Sequence, residues 1–134
     1  DLMKTNNLNF RVWSKEDNTM YDADFLITNN GLLRKSDFEK SIIQICSFDD
    51  YELNVWIGGY DRNGKQIFIG DIVEYMQEKY IVSYHQFQII LNQVNKSNYI
   101  SPHDTLDARK EYGVYHFKNI EVIGNIYENK DLLK

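Results

Sequence analysis

Leu53, Val55 and Ile57 alternate with Asn54 and Trp56, the period of two that marks a strand with one face buried. Gly58-Gly59 then loosens the backbone. Asp61-Arg62-Asn63-Gly64-Lys65 is the strongest reversal signal in the chain, because Asn-Gly between apolar runs supplies the positive φ of a hairpin loop. Gly64 is therefore expected at positive φ. Ile67 and Ile69 lead to a second bend at Gly70-Asp71, and Ile72, Val73 and Tyr75 open another strand. Gln77-Glu78 reads as turning it back into Tyr80-Ile81-Val82-Ser83-Tyr84. Phe87 to Leu91 then continues as strand, in β-branched and aromatic residues that suit a pleated surface. Short strands and tight turns between residues 53 and 94 predict a small antiparallel barrel or meander.

Toward the N-terminus the pattern is shorter. Phe10 and Val12 alternate with Arg11 and Trp13, Glu16-Asp17-Asn18 is a turn, and a second strand starts near Met20-Tyr21. Phe25, Leu26 and Ile27 run to Asn29-Asn30-Gly31, where Asn and Gly tolerate a reversal, and a loop is expected to follow. Ser36-Asp37-Phe38-Glu39 has the spacing of a capping box, with Ile42, Ile43 and Cys46 near helical spacing; Ile43 and Ile45 on one strand face fit as well. Residues 36–47 thus read equally as helix or strand. Asn95 to Glu111 is polar, holds the only proline and reads as a long loop with one helical turn. Val114 to Phe117 and Ile120 to Tyr127 restore the strand pattern, and the tail beyond Glu128 reads as a helical turn or a frayed end. Both terminal strand segments are expected to be ordered in sheet, since open edges invite aggregation.

The 134 residues include 15 basic and 20 acidic side chains, 15 − 20 = −5 in net charge. Cut after residue 67, the chain has 8 basic and 11 acidic residues before and 7 and 9 after, so charge does not segregate. Phosphate-tracking proteins concentrate Lys and Arg to release counterions, and here the closest basic groups are the pairs Arg34-Lys35 and Arg109-Lys110. Nucleic acid is therefore not the expected partner. With Cys46 alone no intramolecular disulfide forms, which fits a reducing cytoplasm. No apolar run approaches the roughly 20 residues that span a bilayer, and the first residues lack a signal peptide's apolar stretch. Because the chain opens Asp1-Leu2-Met3, Met3 reads as the native start.

Three blocks occur in order: Phe10-Arg11-Val12-Trp13 with Met20-Tyr21; Gly59 to Val73, containing Asp61, Asn63-Gly64, Ile67 and Gly70-Asp71-Ile72-Val73; and Ile120-Glu121-Val122-Ile123-Gly124-Asn125-Ile126-Tyr127-Glu128-Asn129. Together they resemble the YopX family of small bacteriophage and prophage proteins, whose members read F-R-x-W-D, then G-x-x-D-x-N-G-x-x-I-x-x-G-D-I-V, then V-I-G-N-I-Y-E-N-P. Ser14 stands where an acidic residue is common, Gly59 where Thr is usual, and Lys130 where proline is usual. The resemblance implies an SH3-like barrel with added N-terminal structure, in a phage gene product of low-GC bacteria. It brings no catalytic residues with it. The fold class expected is mainly β: residues 1–50 as N-terminal strands with a short helix, residues 51–134 as the SH3-like barrel, the two packed together.

His85, His103 and His116 lie too far apart for a metal-ligand spacing, and His103 beside Asp104 and Asp107 is the only suggestive cluster. Cys46 sits among Ile42, Ile43 and Ile45, a setting for an inert core thiol. Gly58-Gly59 and Gly64 lack the Gly-Lys-Ser/Thr that completes a phosphate loop. No catalytic residue, metal ligand or cofactor is assigned, and the binding residues and any small-molecule ligand are unknown. Two buried carboxylates in one pocket, such as Asp71 with Glu74 or Glu121, would speak for an enzyme. Of the ten tyrosines, Tyr60, Tyr75, Tyr84 and Tyr99 are candidates for an exposed binding patch. The expectation is a cytoplasmic, non-enzymatic phage accessory protein that binds a host protein or self-associates; the rival is a nucleic-acid-binding small barrel.

Overall fold

The computed structural model describes residues 10–22, 25–28, 31–34, 45–46, 49–102 and 108–134. It is mainly β and divides into two compact units, one of Leu8–Val55 and one built on Trp56–Lys134. No helix among the described residues is long and apolar enough to cross a membrane.

In the first unit β1 (Phe10–Ser14) pairs antiparallel with β2 (Thr19–Tyr21) and with the first half of β6 (Tyr51–Tyr60). Val12 stands opposite both Tyr21 and Leu53, so the N-terminal block is ordered in sheet as expected. The Ser14 hydroxyl accepts the Asp17 N–H at 3.2 Å and ties the following turn, a role within reach of the acidic residue more usual there. β3 (Phe25–Thr28), β4 (Gly31–Arg34) and β5 (Ile45–Cys46) form a separate antiparallel set. β4 corrects the expected loop after Gly31: Leu32 is fully buried there, and burial outweighs the weak strand propensity of Gly-Leu-Leu-Arg. Of residues 36–47, only Ile45 and Cys46 are described, and they are strand; the capping-box segment and the surroundings of the Cys46 thiol lie outside the described residues. Val12, Phe25, Leu32 and Tyr51 make the core, with the Phe25 ring 5.8 Å from Tyr21 and 5.4 Å from Tyr51. Those distances suit aromatic edge and tilted contacts.

The second unit begins with the other half of β6, which pairs with β7 (Gln66–Phe68) and, in parallel, with β13 (Val114–Phe117). β12 (Ala108–Glu111) pairs with β13 where a loop was expected, its Arg-Lys-Glu run hiding a strand. β8 (Asp71–Tyr75), β9 (Glu78–His85), β10 (Gln88–Gln93), β11 (Tyr99–Ile100) and β14 (Glu121–Asn125) form an antiparallel sheet in the order β11-β10-β9-β8-β14. That sheet is open, with β11 and β14 at its edges, and among the described residues no sheet closes on itself. Ile67, Val73, Tyr75, Tyr80, Val82, Leu91, Phe117 and Ile120 fill the core, each fully buried aliphatic stabilising by about 1.5–3 kcal/mol. Gly58 (φ +84°) lets β6 bulge without leaving the sheet, and the Trp56 indole N–H closes the bulge on the Gly59 carbonyl at 2.9 Å. A Cβ on Gly59 would lie 2.6 Å from the Phe117 ring, so this position excludes a side chain unless Phe117 moves. The chain ends in a 3-10 turn, Lys130–Leu133.

Candidate functional site

The polar residues of the family-like blocks, whose spacing is the most conspicuous feature of the sequence, cluster at the turns of the second unit. Asp61 is buried at the end of β6. One carboxylate oxygen accepts the N–H groups of Asn63 (2.8 Å) and Lys65 (2.9 Å), and the other accepts that of Val122 (2.9 Å), at the far end of the chain. Gly64 is at φ +79° as expected, and its N–H reaches the Asp61 carbonyl at 3.0 Å; the β6–β7 connection is five residues long, not a two-residue Asn-Gly loop. Asn63 and Arg62 both reach Glu121 Oε2, at 3.1 and 3.0 Å. These bonds, that from Asn63 foremost, hold the Glu121 carboxyl below its ordinary range.

Asp71 is buried and accepts the Phe68 N–H at 2.8 Å, closing the Gly70 bend, while Gly70 itself (φ +94°) bonds to Val82 and Ile126. Asn125 Oδ1 accepts the N–H groups of Tyr127 (3.0 Å) and Glu128 (2.9 Å), and its own N–H goes to Asn129 Oδ1 at 3.0 Å. Gly124 allows that closure: a Cβ there would meet Asn129 at 2.5 Å. Asp61, Asp71 and Asn125 thus accept backbone N–H groups, at turns and, for Asp61, also on β14. Glu74 is exposed and stands across from Glu121 on the neighbouring strand, so Asp71, Glu74 and Glu121 do not form one buried pair. His85 is exposed at the end of β9, His116 stacks on Tyr60 with centroids 5.5 Å apart, and the His103, Asp104 and Asp107 cluster lies outside the described residues.

Aromatic exposure sorts the four candidate tyrosines. Tyr75 is buried in the core and Tyr60 is half-buried between His116 and Trp56, whereas Tyr84 and Tyr99 are 61% and 65% exposed. Tyr84 continues the face of β9 whose earlier members, Tyr80 and Val82, lie in the core. Across the ladder Leu91 stands opposite Val82, and Ile89 stands opposite Tyr84. The core face of this hairpin therefore runs on past the core into solvent.

At its tip Gln86 (φ 48°) and Phe87 (φ 66°) are both left-handed, as in a two-residue type I′ turn. Such turns favour Asn-Gly, and a residue with a Cβ costs roughly 1–2 kcal/mol at each left-handed position. Phe87 is nonetheless placed there, 91% exposed as a residue. Tyr84, Phe87, Gln88, Ile89 and Ser101 line an open depression of about 490 Å³, with no formal charge among them. Phe87 escapes the sequence reading because it begins the apolar run to Leu91; the signal that could have found it is the even spacing of Met76-Gln77 and Gln86-Phe87 between strands, each pair being a left-handed turn.

Among the described residues, this is an open-sheeted β protein whose buried acids Asp61 and Asp71 hold backbone N–H groups and whose most exposed large apolar residue, Phe87, sits on a hairpin tip. The family model described as YopX protein matches residues 9–134, and the chain belongs to the YopX family. Two solved structures are similar. Protein EF1440 from Enterococcus faecalis is 20% identical, over 96% of this chain and 100% of that one, with a TM-score of 0.54. Protein yopX from Bacillus subtilis is 22% identical, over 93% of this chain and 97% of that one, with a TM-score of 0.56. Both likenesses concern the fold. No curated protein matches this chain.

Proposed function

We propose that this is a phage or prophage accessory protein that works without catalysis, by binding a protein in the bacterial cytoplasm or by self-association, through the tip of the β9–β10 hairpin. The second unit is read as a variant of an SH3-like barrel. One observation carries the reading: an aromatic residue held 91% exposed at a left-handed position, at the tip of a hairpin whose apolar face outruns its own core. Strain and exposed apolar surface are both disfavoured unless something else makes use of them. A chain of net charge −5, with no basic side chain among the described residues that line the tip, favours a protein surface over a phosphate backbone. Double-stranded DNA is expected to give no mobility shift at physiological salt and micromolar protein, and a salt-sensitive shift would favour the nucleic-acid reading.

The main test is affinity capture from phage-infected cells with the wild type and with a Tyr84→Ser/Phe87→Ser variant of unchanged circular dichroism. Partners bound by the wild type and lost by the variant support the proposal. The same partners retained by the variant would overturn it.

A further inference from the structure

We propose that Asn63-Gly64 is a site of spontaneous deamidation held in check by Glu121: the carboxylate on β14 keeps the Asn63 amide from ring closure, and once the amide is lost the new carboxylate at residue 63 opposes Glu121 and loosens the β6–β7 connection from β14. This site stands apart from the hairpin tip and does not depend on the reading of it.

The reaction needs only the chain and water. The Gly64 backbone nitrogen attacks Asn63 Cγ, an N–Cγ bond forms, and Nδ2 leaves as ammonia with the proton of the Gly64 N–H. Water then opens the five-membered imide at either carbonyl, giving aspartate or isoaspartate with no change of oxidation state. Glycine favours the step because no side chain crowds its nitrogen, and Asn63 and Gly64 are both exposed. Against this, the fold engages both reacting groups. The Gly64 N–H donates to the Asp61 carbonyl at 3.0 Å, which occupies the nucleophile. Asn63 Nδ2 donates to Glu121 Oε2 at 3.1 Å, which ties the leaving group to a strand 58 positions away. The Asn63 N–H, on Asp61 Oδ1 at 2.8 Å, fixes the backbone between them. Ring closure requires the first two bonds to break. Afterwards an acceptor stands where Asn63 donated, facing an oxygen that already receives Arg62 at 3.0 Å. One guanidinium offsets only part of the repulsion between two carboxylates so close together.

The test holds the full chain folded in mildly alkaline buffer beside a sample unfolded in urea, and follows the Asn63 peptide by mass spectrometry and isoaspartate-specific methylation. The folded wild type is expected to convert, and more slowly than the unfolded chain. Glu121→Ala, with unchanged circular dichroism, should convert about two- to fivefold faster than the wild type when folded, the scale of one exposed charged contact, and at the wild-type rate in urea. Arg62→Ala, which leaves the Asn63 bond in place, should follow the wild type. Asn63→Asp should lower the urea midpoint at neutral pH, and lower it less when residue 121 is alanine. The proposal is overturned by a folded wild type that converts as fast as the unfolded chain, or not at all while the unfolded chain converts fully. A rate indifferent to Glu121→Ala, or raised equally by Arg62→Ala, overturns it too. A midpoint loss from Asn63→Asp that is the same in both backgrounds removes the opposition of the two carboxylates.

Discussion

Asp61 is acceptor to three backbone N–H groups, two in its own turn and one on β14, so a single carboxylate ties segments about sixty positions apart in the chain. Charge-assisted bonds of this kind are stronger than neutral ones, and a buried donor left unmatched costs more than the bond itself contributed. Asp61→Ala should therefore destabilise the fold by about 2–4 kcal/mol, read as a shift of the urea midpoint at neutral pH; a midpoint unchanged from wild type would deny the clamp its role. Glu121 gives a pH signature. Its carboxyl is held below the ordinary 4.5 by Asn63 and then Arg62, and the folded state therefore favours the ionised form. That contribution is present above the unfolded value and is lost as the pH falls through the lower folded value. Glu121→Gln should flatten the acid limb of the stability profile below pH 4.5, and an acid limb identical to wild type would contradict the assignment.

Among the elements, the hairpin turns separate folding from function. Met76-Gln77, Gln86-Phe87 and Tyr112-Gly113 are all two-residue left-handed turns, but only the last has a glycine. Replacing Gln86-Phe87 with Asn-Gly should raise stability by about 1 kcal/mol, seen as a higher melting temperature, while abolishing association. A lower melting temperature would mean that Phe87 serves the fold and not a partner. These turns also mark the limit of what the sequence disclosed. Strands with clean alternation, such as Leu53 to Ile57, were legible because one buried face imposes a period of two. β4, β11 and β12 were not, since Gly-Leu-Leu-Arg, Tyr-Ile and Ala-Arg-Lys-Glu take their strand form from neighbours on the sheet. Phe87 was read as strand because it is the first residue of an apolar run, whereas register places it in the turn before that run.

For the molecule as a whole, the family-like blocks stood out in the sequence, but the work they do depends on contacts invisible to spacing. Asp61 meets Val122, Gly70 meets Val82 and Ile126, and Asn125 closes on Asn129, so the polar and glycine residues of the second and third blocks tie the second unit together. The candidate interaction surface lies elsewhere, at a tip whose exposure is a property of the folded sheet and so carries no local motif. The central claim is that association acts at that tip while the signature residues stay inside the fold. An amide-correlation NMR dilution series from about 1 mM to about 20 µM, concentrations at which a weak small interface forms and dissociates, tests it most directly. The account predicts concentration-dependent shifts at Tyr84 to Ile89 and at Ser101, with Asp61 to Lys65 and Asn125 to Asn129 unmoved. Shifts centred on Asp61 to Lys65 would contradict it, whereas spectra that do not change with concentration would remove self-association and leave the binding of a host protein as the tip's role.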